Sequence, residues 1–129
     1  MQLPATLTGT VEHGKALGNT YDFPTANITP CEDVSDLPFG VYYSVLTVDG
    51  KDHPSITNLG VRPTVSDDNK VCAETSVYDA DLDMYGKNIT VTLLKFRRPE
   101  QRFSSVDELY ATVADDHRAG RAWHGLPVT

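Results

Sequence analysis

The stretch Gly40-Val41-Tyr42-Tyr43-Ser44-Val45-Leu46-Thr47-Val48, with Asp49-Gly50 directly after it, constrains the fold more than any other part of the chain. β-Branched and aromatic residues dominate it, as a pleated, half-buried strand requires. Asp-Gly readily supplies the positive φ angles of a two-residue hairpin turn, so the strand reverses and pairs with the next segment. His53 to Asn58 is the expected partner, and Leu59-Gly60-Val61-Arg62-Pro63-Thr64 is expected to end that partner in a turn. Thr6 to His13 reads as another strand, with Leu7, Gly9, Val11 and His13 on one face. Val71 to Tyr78 alternates Val71, Ala73, Thr75 and Val77 against Cys72, Glu74, Ser76 and Tyr78. Asn88 to Phe96 closes the series, and the spacing predicts a mainly β fold, a small antiparallel barrel.

Only the C-terminal part reads as helix. Ser105-Val106-Asp107-Glu108 has the form of a capping box, and Val106, Leu109, Tyr110 and Val113 continue at helical spacing as a stripe expected to face a core. Gly120 is the expected stop, with Arg118 near the negative end of the helix dipole. No repeat or linker interrupts the chain. One domain over residues 1–129 is therefore expected, with the barrel at about 6–97 and the helix at about 105–118.

The chain of 129 residues is 40% hydrophobic and 22% charged, a soluble globular balance. No apolar run approaches the roughly 18 residues of a membrane span, and Met1-Gln2-Leu3-Pro4 lacks the features of a secretory signal. With only Cys31 and Cys72, a disulfide framework is not expected and a reducing cytoplasm is the default setting. A net charge of −7 argues against a nucleic-acid partner, which Lys and Arg would have to hold.

Phe23-Pro24-Thr25-Ala26-Asn27 is the most suggestive chemical motif. Proline stiffens it, and in an extended segment the side chains of Thr25 and Asn27 point the same way. Two neutral oxygens so placed suit a hard cation such as Mg²⁺ beside a phosphate. The alternative is a turn that opens a strand, with Thr and Asn bonding their own backbone. Upstream, Gly9-Thr10-Val11-Glu12-His13-Gly14-Lys15-Ala16 fits GxxxxGK and then fails as a P-loop, since Ala16 stands where Ser or Thr must reach the cation. Its glycines either cover phosphates through backbone N–H groups or merely turn the chain. His13, His53, His117 and His124 show no metal-ligand spacing and suit surface or structural roles. Glu74 lies in mid-strand, where glutamate is depleted; it either faces solvent or accepts a proton from a substrate hydroxyl.

In register along the chain, Gly9-x-Val11-x-His13-Gly14, Phe23-Pro24-Thr25-Ala26-Asn27, Gly40-Val41-Tyr42, Asn58-Leu59-Gly60-Val61-Arg62-Pro63-Thr64, Glu74, Leu82-Asp83-Met84-Tyr85-Gly86-Lys87, Arg98-Pro99-Glu100, Phe103 and Leu109 resemble the riboflavin kinase (flavokinase) family. That family includes the kinase module of bacterial bifunctional riboflavin kinase/FMN adenylyltransferases. The resemblance implies a six-stranded antiparallel Greek-key β-barrel with a C-terminal α-helix, transferring the γ-phosphate of ATP to the 5′-hydroxyl of riboflavin to give FMN and ADP. It implies Glu74 as the catalytic base, and Thr25 and Asn27 as ligands of a divalent cation carried with ATP. It also implies Gly14, Val77 and Tyr85 at the nucleotide, and Arg98 and Phe103 at the flavin. An adenylyltransferase module is not evident, so FAD is not the expected product; the chain is either free-standing or the excised half of such a fusion. Asn19 and Asp22 depart from the family, which has a basic residue and a glycine there. They motivate the alternative of a non-catalytic flavin- or nucleotide-binding barrel with a degenerate nucleotide loop.

Overall fold

The computed structural model describes residues 2–12, 25–62 and 70–128. Its elements are β1 (Ala5–Thr10), β2 (Thr25–Ile28), β3 (Gly40–Val48), β4 (Lys51–Arg62), β5 (Lys70–Val77), β6 (Asn88–Pro99) and α1 (Val106–Trp123). All strand pairs are antiparallel, in one sheet of order β1-β6-β3-β4-β5-β2. Within it β6-β3-β4-β5 is a Greek key, because β6 returns to lie beside the first strand of the β3-β4-β5 meander. The sheet curls into a half-barrel whose edges meet at one end. There Glu12 bridges Asn27, its amide donating to the Asn27 carbonyl at 2.8 Å, and the Cys31 amide donates to the Thr8 carbonyl at 2.9 Å. Among the described residues, the expected barrel class with a C-terminal helix is what forms.

Period-two alternation sorts the strands into two faces. Leu7, Ile28, Tyr42, Leu46, Leu59, Val91 and Leu93 fill the interior. Among them runs a polar ladder: Ser44 Oγ lies 2.7 Å from Thr57 Oγ1, which lies 2.8 Å from Thr75 Oγ1, all three side chains fully buried. On the outer face, Val41, Tyr43, Ile56 and Tyr78 form a second cluster with Ala119 of α1 and Leu126 beyond it.

Three expectations are corrected. β4 continues through Leu59-Gly60-Val61-Arg62 rather than turning, because Leu59 is a core residue and the ladder with β5 runs on to Arg62 opposite Lys70. Gly120 does not stop the helix. A Cβ there would clash with the Tyr78 hydroxyl, so glycine lets the helix approach the sheet. The helix ends later in a Schellman motif: Gly125 (φ 76°) donates to the Ala122 carbonyl at 3.1 Å and Leu126 to that of Arg121 at 2.8 Å. Finally, the Val106–Val113 stripe is only partly covered, with Val106 63% and Tyr110 40% exposed, since the helix is most buried in its later half at Asp116 and Gly120. The N-cap is as expected: Ser105 Oγ accepts from the Glu108 amide at 3.1 Å.

Candidate active site

The strand registers carry a row across the outer face that is polar except at Val41. Asn27 on β2 stands opposite Glu74 on β5, Glu74 opposite Asn58 on β4, Asn58 opposite Val41 on β3, and Val41 opposite Arg98 on β6. Thr25, two residues before Asn27 and opposite Ser76, shares that face. Directly opposed residues have Cβ atoms roughly 4.5–5.5 Å apart, so Thr25, Asn27 and Glu74 belong to one small patch. Asn27 is 4% exposed, and Thr25 and Glu74 are half-buried. A carboxamide and a hydroxyl beside a carboxylate can hold a hard cation and accept a proton at neighbouring points. Among the described residues no group of three or more His, Cys, Asp or Glu could hold a metal ion.

One end of this patch is the closed end of the half-barrel. The Val11 amide donates to the Lys87 carbonyl at 2.9 Å, and the Gly86 amide to the Val11 carbonyl at 3.0 Å. These bonds set the Tyr85-Gly86-Lys87 turn against the chain just before residue 13, with Tyr85 56% exposed. Gly14, Asn19 and Asp22 lie outside the described residues. Val77 is set apart from the row: its side chain packs against the barrel core, on the face opposite Glu74.

Arg98 ends the row about 14 Å from Glu74, three strand spacings away. β3 and β6 press together here; Gly40 adopts φ 151°, and a Cβ on it would clash with the Arg98 carbonyl oxygen. The Arg98 guanidinium is gripped by α1. Its Nε donates to Asp116 Oδ1 at 2.9 Å and its Nη2 to Asp116 Oδ2 at 2.7 Å, while Nη1 reaches the Pro99 carbonyl at 3.1 Å. Phe103, half-buried, lies in the short connection from β6 to α1.

Sequence reasoning missed Asp116 and its second partner Arg97. Arg97 Nε donates to Asp116 Oδ1 at 2.9 Å, Nη1 to the Tyr43 hydroxyl at 3.1 Å, and Nη2 to Asp115 at 3.2 Å. Burial opposes the charge of Arg97, but the bonds to Asp116 and Tyr43 outweigh it and raise its pKa. A signal was present: Leu109, Val113, Asp116 and Gly120 continue one helical stripe, so a carboxylate occupies a sheet-facing position. Beyond it, Trp123 stacks on Tyr43 with ring centroids 5.1 Å apart. The histidines of this region make packing and hydrogen-bond contacts with the sheet. His117 lies edge-on to Tyr78, whose hydroxyl donates to the His117 carbonyl at 2.9 Å, and a ring nitrogen of His124 meets the Ser55 carbonyl at 2.9 Å. Asp79 is taken up by Arg121 in a two-point ion pair at 2.7 and 3.1 Å.

A Greek-key half-barrel with a carboxylate between two carboxamides on its outer face, and an arginine at the far end of the same row beyond Val41, defines a small β-barrel protein with a candidate site on that face. The family model for riboflavin kinase (Flavokinase) matches residues 1–124, and the chain belongs to that family. It is 42% identical over 124 residues to the bifunctional riboflavin kinase/FMN adenylyltransferase of Escherichia coli strain K12, covering 95% of this chain and 39% of that relative. Among solved structures, it matches that of a macrolide-efflux protein from Streptococcus pneumoniae at a TM-score of 0.79 and 29% identity, over 93% of this chain and 39% of that one. It also shares its fold with riboflavin kinase from Trypanosoma brucei, at a TM-score of 0.61 and 23% identity over 95% and 80% of the two chains. Among the described residues no helix is long and apolar enough to cross a membrane.

Proposed function

We propose that this protein is a riboflavin kinase, transferring the γ-phosphoryl group of ATP to the 5′-hydroxyl of riboflavin in the cytoplasm. The observation that carries the reading is the opposed pair of Asn27 and Glu74, in one register with Thr25 on the same face, in a chain of the riboflavin kinase family. Phosphoryl transfer demands positioning and charge neutralisation more than covalent chemistry from the protein. Glu74 is the base: its carboxylate takes the 5′-hydroxyl proton as the O5′–Pγ bond forms. The bond from Pγ to the β,γ-bridging oxygen breaks, and ADP departs with that electron pair.

Thr25 Oγ1 and Asn27 Oδ1 are hard, neutral donors, which suits Mg²⁺ shared with nucleotide phosphates. Such a cation, when bound, supplies charge neutralisation at the phosphates. Tyr85 belongs to the nucleotide end, and the hydrogen bonds of its turn to Val11 hold that turn beside the chain that leads towards Gly14 in sequence. Val77, whose side chain packs inward, would meet the nucleotide through its main chain. Arg98 and Phe103 belong to the flavin end. Riboflavin is itself elongated, with the reacting hydroxyl at the tip of its ribityl chain and the ring system at the other end; the row from Glu74 to Arg98 has polar groups at both ends with apolar Val41 between Asn58 and Arg98.

Incubation of the protein with riboflavin, ATP and Mg²⁺, then chromatographic separation of flavins, tests the reading. FMN should appear only when ATP is present. No FMN across a range of divalent metals and substrate concentrations would sink it.

A further inference from the structure

We infer that Asp116 of α1 is a positioning residue for the flavin end of the site, acting through Arg98; this rests on the riboflavin kinase reading above. The geometry is specific. Asp116 is 4% exposed, and both of its oxygens engage the Arg98 guanidinium through Nε and Nη2. Two parallel charge-assisted bonds fix the plane of the guanidinium as well as its place. With Nη1 on the Pro99 carbonyl, Arg98 retains one N–H on each terminal nitrogen. Those two are held in a fixed direction and are available to a ligand.

Stability alone does not account for the arrangement. Asp116 stands at a sheet-facing position of the helix, where an apolar side chain could pack, and buried ion pairs are often no more stabilising than well-packed apolar residues of similar size. Arg97 already pairs with the same carboxylate and ties it to β6 and Tyr43. The second guanidinium, gripped along one edge and anchored at its far nitrogen, is the part that a purely structural ion pair would not need. The helix thus sets the orientation of Arg98 at the end of the row that begins at Asn27 and Glu74.

Steady-state kinetics with riboflavin and ATP varied separately test this. Asp116→Asn keeps the side-chain shape but removes the charge and turns one acceptor towards donors. It should raise the riboflavin KM about tenfold, as expected when a charge-assisted contact is lost, and leave the ATP KM within about twofold. Asp115→Asn, which alters only the more exposed carboxylate paired with Arg97 and Arg118, should leave both values unchanged. An unchanged riboflavin KM in Asp116→Asn, or a parallel rise in both KM values, overturns the inference. Should Asp116→Asn fail to fold, Asp116→Glu carries the test. It keeps the charge but displaces the guanidinium by a methylene, so a raised riboflavin KM with an unchanged ATP KM is expected, and an unchanged riboflavin KM overturns the inference. Wild-type protein that forms no FMN overturns the kinase reading instead; riboflavin affinity, read by fluorescence quenching, then decides the role of Asp116 with the same variants.

Discussion

Asn27 and Glu74 face each other directly across the β2–β5 ladder, and the Glu12 amide donates to the Asn27 carbonyl from the other side. The backbone of Asn27 is therefore held on both sides, by β5 and by the isolated bridge to Glu12, while its side chain adjoins the carboxylate. That arrangement places a neutral oxygen next to the proposed base without adding a second negative charge.

Asn27→Ala should separate nucleotide binding from flavin binding. The truncation removes a proposed cation ligand from a buried position, so a raised Mg²⁺ requirement and an ATP Kd about tenfold higher are expected, with riboflavin affinity within about twofold. Removing a buried polar group should also lower stability by about 1 kcal/mol. Calorimetric titrations of ADP with Mg²⁺ and of riboflavin, run separately, check this. Equal weakening of both ligands would count against a cation role for Asn27.

Gly120→Ala probes the helix-to-sheet contact. The added Cβ would run into the Tyr78 hydroxyl and disturb its 2.9 Å bond to the His117 carbonyl. Overpacking of this kind costs about 1–3 kcal/mol, so thermal unfolding should show a clearly lower Tm. Alanine is otherwise the better helix former, so a Tm at or above that of wild type would mean that the contact relaxes freely.

The acid limb of stability should report His117. Burial lowers its pKa from 6.5 to about 4, partly offset by the nearby charge of Asp116. The folded state therefore favours the neutral ring. Its contribution is fully present above the unfolded pKa of about 6.5 and is lost as the pH falls towards about 4, because the unfolded chain takes up the proton first. The loss over that window should be about 2–3 kcal/mol. Denaturant unfolding at a series of pH values checks it: His117→Gln should flatten the curve between those limits, and an unchanged slope would exclude His117 as its source.

What was legible in the sequence was local. Asp49-Gly50 specified its own turn, and the structure has positive φ at both, 52° and 75°. Alternation in β5 put Glu74 on the face opposite Ala73 and Thr75, and Ser105 capped its helix. What was not legible depended on partners distant in the chain. Gly120 read as a stop because glycine is a poor helix former, and only the Tyr78 hydroxyl, 42 residues earlier, explains why it sits inside the helix. Asp116 entered no motif in the sequence, and its role depends on the two arginines that β6 brings to it. The Asn27–Glu74 pairing likewise is a register between strands that β3 and β4 separate in sequence.

The most direct measurement compares the wild-type protein with Glu74→Gln for FMN formation at saturating riboflavin, ATP and Mg²⁺, with riboflavin and nucleotide binding measured alongside. Glutamine keeps the size and polarity of the side chain but cannot take the hydroxyl proton. A kcat lower by about 100-fold or more, with both Kd values within about threefold, is the predicted result. A Glu74→Gln protein that binds both ligands and turns over at the wild-type rate would contradict the account.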